Sequence, residues 1–190
     1  MKNFLFLLCL FISFQTIADG GEEPIRAINL YEPNLNLQYI GIKDTIEINE
    51  KNKQRKFYVT STIAILDIPN NKTNYIFKDF KNLNITGFYF ESKYLAEDKS
   101  IEFNNYFTES YQYSNNRNIL ERPLSDNLII TTVDLITKST CFWICDKYGN
   151  NLKKEFEIST DWDWEIDVKN RMIRARRQVD LMLEIKNINY

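Results

Sequence analysis

The 190-residue sequence predicts an all-β protein, and we expect a single-domain antiparallel β-sandwich, with a β-barrel as the alternative. Short apolar or alternating runs recur at near-regular spacing, and no long helical pattern lies between them. Turn-forming clusters rich in Asn, Lys and Gly separate these runs at 50–53, 69–72 and 146–151. Many short strands joined by such turns are typical of sandwiches and barrels.

The strand pattern occurs in a series of runs before the C-terminal region: 25–30, 35–42, 45–48, 56–68, 75–80, 84–90, 128–133, 140–145 and 152–158. The segment from 91 to 127 fits this pattern least well. Within it, 92–100 is compatible with a short helix, and 104–118 is predicted to be a long polar loop that carries tyrosines.

The first 18 residues have the three parts of a secretory signal peptide. Lys2 supplies the positive start, an apolar run extends from Phe4 to Phe14, and Thr16 and Ala18 are small residues before a cleavage site. The apolar run is too short for a membrane-spanning helix, which needs about 20 residues. We therefore expect an exported protein, periplasmic or secreted, with a single β-rich domain at 19–190 and no stable membrane insertion after cleavage.

Charge and composition exclude several functional classes. Cleavage after residue 18 removes one lysine and no acid, so the net charge falls from −2 to −3, which gives no electrostatic reason to expect a nucleic-acid partner. The chain has no histidine, and this absence removes histidine-based nucleophile activation, acid/base catalysis and metal ligation. We expect a non-enzymatic protein that uses no cofactor and no metal.

The heptapeptide DWDWEID at 161–167 is the most chemically suggestive stretch, because acids and large apolar residues alternate in it. A period of two places the acids on one face of a strand and the apolar groups on the other. A calcium loop would need Gly at Ile166 and a bidentate acid at Met172, so that interpretation fails. Catalysis by this acid row is also disfavoured, because arginines opposite would hold the acids ionised.

The run 172–186 alternates in the same way, so the two runs are predicted to form a hairpin with its tip at 170–171, or with a four-residue loop in the same register. This register pairs Asp167 with Arg174 and Glu165 with Arg176 as structural salt bridges. It places Trp164 opposite Arg177, a cation–π contact. It leaves Asp161 and Asp163 without an arginine opposite, so these two acids remain candidates for binding.

Cys141 and Cys145 are the cysteines that remain after cleavage. Residues four apart on one strand are separated by about 13 Å, too far for a disulfide, which requires about 7 Å or less between Cα atoms. Two buried or partly buried free thiols are therefore favoured, with a local disulfide at a bulge as the alternative. A bridge to another chain also stays open.

Four aromatic residues in the polar loop, Tyr106, Phe107, Tyr111 and Tyr113, are the strongest candidates for a binding surface. Tyrosine among Asn and Ser is typical of recognition loops, although the same rings could cover one end of a sandwich.

The leading hypothesis for function is protein–protein interaction in the periplasm or extracellular space, as an inhibitor, an immunity-type protein or an envelope-assembly factor. One alternative is a glycan-binding or carboxylate-dependent glycan-processing protein, which predicts exposed Trp or Tyr rings lining a groove beside two acids. The other is a structural subunit of an extracellular assembly, which offers its C-terminal strand to a neighbour.

Overall fold

A computed structural model describes residues 28–50, 53–107 and 113–190, and the structure in these ranges consists of strands, turns and loops without a helix. The predicted signal peptide lies outside the described residues. Thirteen strands are assigned: β1 (Asn29–Glu32), β2 (Leu37–Glu50), β3 (Lys53–Asp67), β4 (Lys72–Ile76), β5 (Leu83–Leu95), β6 (Ser100–Phe107), β7 (Tyr113–Ser114), β8 (Asn127–Asp134), β9 (Thr140–Asp146), β10 (Lys153–Ile158), β11 (Asp163–Asp167), β12 (Met172–Val179) and β13 (Met182–Asn189).

The strands form three sheets. The N-terminal sheet has the order β1-β2-β3-β4, the central sheet β10-β9-β8-β5-β6, and the C-terminal sheet β13-β12-β11-β7. Strand pairing is antiparallel except between β7 and β11, which run parallel. Within the described residues none of the sheets closes on itself, so the predicted all-β sandwich is confirmed and the barrel alternative is wrong.

The central sheet is covered on both faces, which the sequence analysis did not predict. Alternate residues of its strands enter different cores: Phe88 and Trp143 pack with the N-terminal sheet, whereas Tyr89 and Phe142 pack with the C-terminal sheet. Strand β9 shows how the covering of both faces affects the residue types of a strand. Its segment 141–145 (CFWIC) is apolar at every position because neither face meets water.

Several predicted elements differ from the structure. The predicted loop at 104–118 contributes 104–107 to β6 and 113–114 to β7. The stretch 92–100 is not a helix, because β5 continues to Leu95 and a turn at 96–99 leads directly into β6. The run 172–186 is not one strand, because Asp180 adopts a left-handed conformation (φ 55°) and a two-residue turn at Asp180-Leu181 separates β12 from β13. Asp tolerates this conformation better than most residues, and the alternating pattern does not reveal it.

Candidate functional site

Strand β13 forms one edge of the C-terminal sheet and exposes large apolar side chains. We call the exposed residues Leu181, Met182, Leu183 and Ile185 the apolar edge. Their side chains are 99, 69, 60 and 51 % exposed, respectively. Large apolar groups on an unpaired edge strand are unfavourable in isolation and typically mark an interaction surface.

A charged cluster positions the hairpin beside this edge. Arg177 donates to Glu184 across the β12–β13 pair at 2.8 Å and to Asp161 at 3.0 Å. Its guanidinium carbon lies 4.9 Å from the centre of the Trp162 ring, and Lys186 Nζ lies 4.6 Å from the same centre. Cations over an indole ring are attracted by its quadrupole, so Trp162 links the two strands of the hairpin to the chain that precedes β11.

Asp161 therefore has an arginine partner, and the prediction that it lacked one is wrong. Hydrogen bonds from Ser159 and Arg177 hold the pKa of Asp161 below its usual value. Asp163 is exposed and lies opposite Arg176 in the register of β11 and β12. Both acids are exposed, and a binding role for either remains a prediction.

The register of the β11–β12 hairpin differs from the predicted one by two residues. The structure pairs Glu165 with Arg174 and Asp163 with Arg176, so the predicted Glu165–Arg176 salt bridge does not form. Arg174 instead contacts Glu165 at 3.1 Å and Asp167 at 3.4 Å, and the predicted Asp167–Arg174 contact is present as a diagonal one.

Asp167 explains this register, because its carboxylate organises the loop that follows it. The backbone N–H and the side-chain amide of Asn170 both donate to Asp167, at 3.1 and 2.8 Å. The loop therefore spans four residues, 168–171, and the closing pair is Asp167 and Met172. The register shift also changes the predicted cation–π contact of Arg177. Trp164 lies opposite Ala175, and Arg177 lies over the ring of Trp162 instead.

The loop aromatics do not form one surface. Tyr106 is buried in β6 between the N-terminal and central sheets, so its predicted exposure is wrong. Tyr113 is half-buried in β7, with its ring centre 5.4 Å from that of Phe103. Tyr111 and the side chain of Phe107 lie outside the described part of the chain.

Tyr113 and Phe103 line an open groove of about 630 Å³ beside β6. The groove is bordered by Asp98, Glu102 and Arg117 and by several asparagines. Phe103 is buried and Tyr113 is half-buried, so the groove exposes part of one tyrosine ring beside two acids, and glycan binding remains a prediction. The polar border is suited to a hydrogen-bonding ligand rather than an apolar one.

A buried charged network was missed by the sequence analysis. Glu91 has no exposed surface, and its carboxylate accepts from Arg122 at 2.8 Å, from Arg171 at 3.0 Å and from the backbone N–H of Ser125 at 2.8 Å. These partners are 31 to 80 residues away in sequence, so no local pattern indicates the contacts.

A second buried pair adjoins this network. Lys147 Nζ lies 3.2 Å from Glu32 in β1 and donates to the backbone carbonyl of Glu91 at 3.0 Å. Because Glu32, Glu91 and Arg171 belong to the N-terminal sheet, the central sheet and the β11–β12 loop, the network connects all three sheets. Every carboxylate in it is already paired with a cation, which indicates a structural role.

Cys141 and Cys145 are free and buried on β9, as predicted. Burial raises the pKa of both thiols, to about 12 for Cys145. A nucleophilic or metal-binding cysteine needs the thiolate, and burial disfavours this form at both positions.

Within the described ranges, no group of three or more Cys, Asp or Glu side chains is placed to hold a metal ion. In the same ranges, no helix has the length and hydrophobicity needed to cross a membrane.

The fold and these surfaces define a class of protein: a three-sheet, all-β domain with an open apolar edge and a polar groove. No protein-family model, curated protein or solved structure matches the chain.

Proposed function

We propose that this chain is an exported, non-enzymatic binding protein that associates with a protein partner through the apolar edge at 181–185. The observation that carries the proposal is the exposure of three large apolar side chains on an edge strand and of a fourth, Leu181, in the turn that precedes it. Burying them against a partner removes apolar surface from water at about 25 cal/mol per Å². The absence of histidine from the sequence and the burial of both thiols support a function without catalysis.

The charged cluster behind the edge supports the same proposal. Arg177, Glu184 and Lys186 hold the hairpin in one conformation before any partner arrives. A strand that is already ordered loses less conformational entropy on binding than a flexible segment does. The apolar edge is therefore presented as a rigid surface.

Affinity capture from the exported fraction tests the proposal. We expect the chain to retain a partner, and the double variant Leu183→Ser with Ile185→Thr to lose it, because both substitutions remove apolar contact area. Leu120→Ser is the matched control, since Leu120 is 85 % exposed in a loop far from β13 in sequence. Retention of the same partner by the double variant would show that the apolar edge is not the binding surface.

The groove beside β6 favours a second candidate, glycan binding. The half-buried Tyr113 offers part of a ring surface, and Asp98 and Glu102 offer acceptors for sugar hydroxyls. A glycan array probed with the purified chain and with Asp98→Asn and Glu102→Gln variants is the test. Binding that both variants weaken supports this function, and an array without any binding rejects it.

A further inference from the structure

We infer that the partner of the apolar edge is a second copy of this chain, joined by antiparallel pairing of β13 with β13 about a two-fold axis at Ile185. The inference rests on the proposed function of the edge and assigns its partner. Three features of β13 carry it: unpaired backbone groups, exposure of both faces and a self-complementary charge pattern.

The backbone groups of alternate β13 residues point away from β12. The two-residue loop closes on Val179 and Met182, and the residues that flank such a turn bond each other. Bonding to the partner strand alternates along an antiparallel pair, so Leu183, Ile185 and Asn187 direct their N–H and C=O groups to the open side. These are the groups that an added strand would bond.

Both faces of β13 leave room for a neighbour. Residues 181–187 are all exposed, on the face that carries Glu184 and Lys186 and on the face that carries Leu183 and Ile185. The strand therefore extends beyond the cover of the central sheet, and a second strand can approach without displacing part of the fold.

The charge pattern favours the register with its axis at Ile185, which pairs more oppositely charged residues of β13 than the others do. A two-fold axis perpendicular to the sheet keeps each face continuous, so every residue pairs with one of the same parity. An axis at Glu184 would oppose two glutamates, and an axis at Lys186 would oppose two lysines. An axis at Ile185 pairs Glu184 with Lys186 of the second copy, twice, and opposes the two Ile185 side chains.

This register also pairs Met182 with Ile188 of the second copy, which extends the apolar contact. Across the axis, the outward-directed backbone groups of Leu183 then meet those of Asn187 of the second copy, and the groups of the two Ile185 residues meet each other. The result is one continuous eight-stranded sheet. Edge pairing alone makes a small interface, so we expect a dissociation constant on the order of 10 µM.

Sedimentation equilibrium of the purified chain lacking residues 1–18, over a concentration series, tests the inference with two charge variants. Glu184→Lys and Lys186→Glu each place like charges opposite each other in the homodimer, and we expect each to raise the dissociation constant at least about tenfold. An equimolar mixture of the two variants restores opposite charges at both positions, so it should form a heterodimer that is tighter than the homodimer of either variant. Circular dichroism confirms that each variant is folded.

A wild-type chain that stays monomeric at high concentration overturns the inference, and so does a mixture that associates no better than either variant alone. Dimerisation that neither substitution weakens overturns it as well, because the register would be wrong. A monomeric chain whose captured partner still depends on Leu183 and Ile185 would reject the second copy and leave the proposed function intact.

Discussion

The side chain of Glu91 shows how much a single residue contributes to the arrangement of the sheets. Its carboxylate is fully buried and accepts hydrogen bonds from two arginines and a backbone amide. Arg122 also donates to the carbonyl of Val168 at 2.7 Å, and Arg171 donates to the carbonyl of Pro123. The acid therefore fixes two loops that hold the C-terminal sheet against the central sheet.

Replacing this acid by Glu91→Gln should reduce the free energy of unfolding by about 3 kcal/mol, because removing one partner of a buried ion pair leaves uncompensated charge. Urea denaturation followed by circular dichroism measures the change. Glu102→Gln is the control on the neighbouring strand, since Glu102 is exposed. Equal stability of the two variants would contradict a structural role for the Glu91 network.

Asp167 provides a pH-dependent contribution to stability. Burial acts to raise its pKa, but hydrogen bonds from Asn170 and Asn115 and the charge of Arg174 outweigh burial and lower it. Such a carboxylate stabilises the folded protein at pH values above its unfolded-state pKa of about 3.9. This contribution to stability is lost as the pH falls through the lower pKa of the folded state.

We therefore expect Asp167→Asn to be less stable than the wild type at pH 7 and to lose less stability between about pH 5 and pH 3. Urea midpoints measured across this range give both quantities. Asp163→Asn, at an exposed acid on the same strand, should follow the wild-type curve. If Asp167→Asn and the wild type lose stability in parallel, Asp167 does not contribute in this way.

At the scale of elements, tight turns at left-handed residues join many of the strands. Positive φ angles occur at eleven described residues other than glycine, and six of these are asparagines: Asn36, Asn71, Asn82, Asn115, Asn118 and Asn151. Asn tolerates this conformation because its short side chain bonds locally. The abundance of asparagine in the sequence thus has a structural use in a chain with five glycines.

Lys99 occupies such a position (φ 46°) in the turn between β5 and β6, and it is exposed. Lys99→Gly should raise the free energy of unfolding by about 0.5 kcal/mol, because glycine adopts positive φ without the steric cost that lysine has. Thermal denaturation measures the effect. Lys93→Gly, at an exposed position within β5, should lower stability instead, and a loss of stability in Lys99→Gly would refute the argument.

The β11–β12 hairpin shows how far sequence patterns determine an element. Alternation at 161–167 predicted correctly that Ile166 and Ile173 share the buried face, because a period of two fixes parity. It did not determine the register, since a shift of two residues preserves both faces. The loop decides the register, and its organising contact is the bond from Asn170 to Asp167, which no periodicity contains.

The candidate surfaces were less predictable than the strands. Tyr106 and Tyr113 both lie in a polar stretch of sequence, yet Tyr106 is buried and Tyr113 lines a groove. The reason is that burial depends on which sheet covers each strand. The regular alternation of apolar and polar residues over 172–186 predicted one long strand and so did not indicate the apolar edge. The turn at Asp180 converts the end of an expected long strand into a separate edge strand.

At the scale of the whole molecule, the central sheet is the layer on which the other two sheets pack. It contributes to both cores, and the Glu32–Lys147 and Glu91 contacts join all three sheets at one place. Layers that share a sheet and a buried ionic network lose their packing together. The described part of the chain is therefore expected to unfold as one cooperative unit.

Two probes that report different cores test this cooperativity. The thiols of Cys141 and Cys145 report the core beneath the N-terminal sheet, whereas Trp162 and Trp164 pack in the core beneath the C-terminal sheet. Because Trp143 packs in the first core, fluorescence is read from a Trp143→Phe variant lacking residues 1–18, in which Trp162 and Trp164 remain. Thiol alkylation and tryptophan fluorescence of this variant should give the same urea midpoint. Exposure of the thiols well before the change in fluorescence would show that the N-terminal sheet detaches separately.

The doubly covered strand β9 has a consequence for the behaviour of the chain before it folds. Its segment Thr140–Cys145 is uncharged, lacks proline and is rich in β-forming residues, which are the properties of segments that assemble into cross-β fibrils. In the folded protein two outer sheets cover this segment, and β8 and β10 occupy its hydrogen-bonding sides. The outer sheets thus act as intramolecular protection against self-assembly, and solubility of the nascent chain depends on how quickly they close over β9.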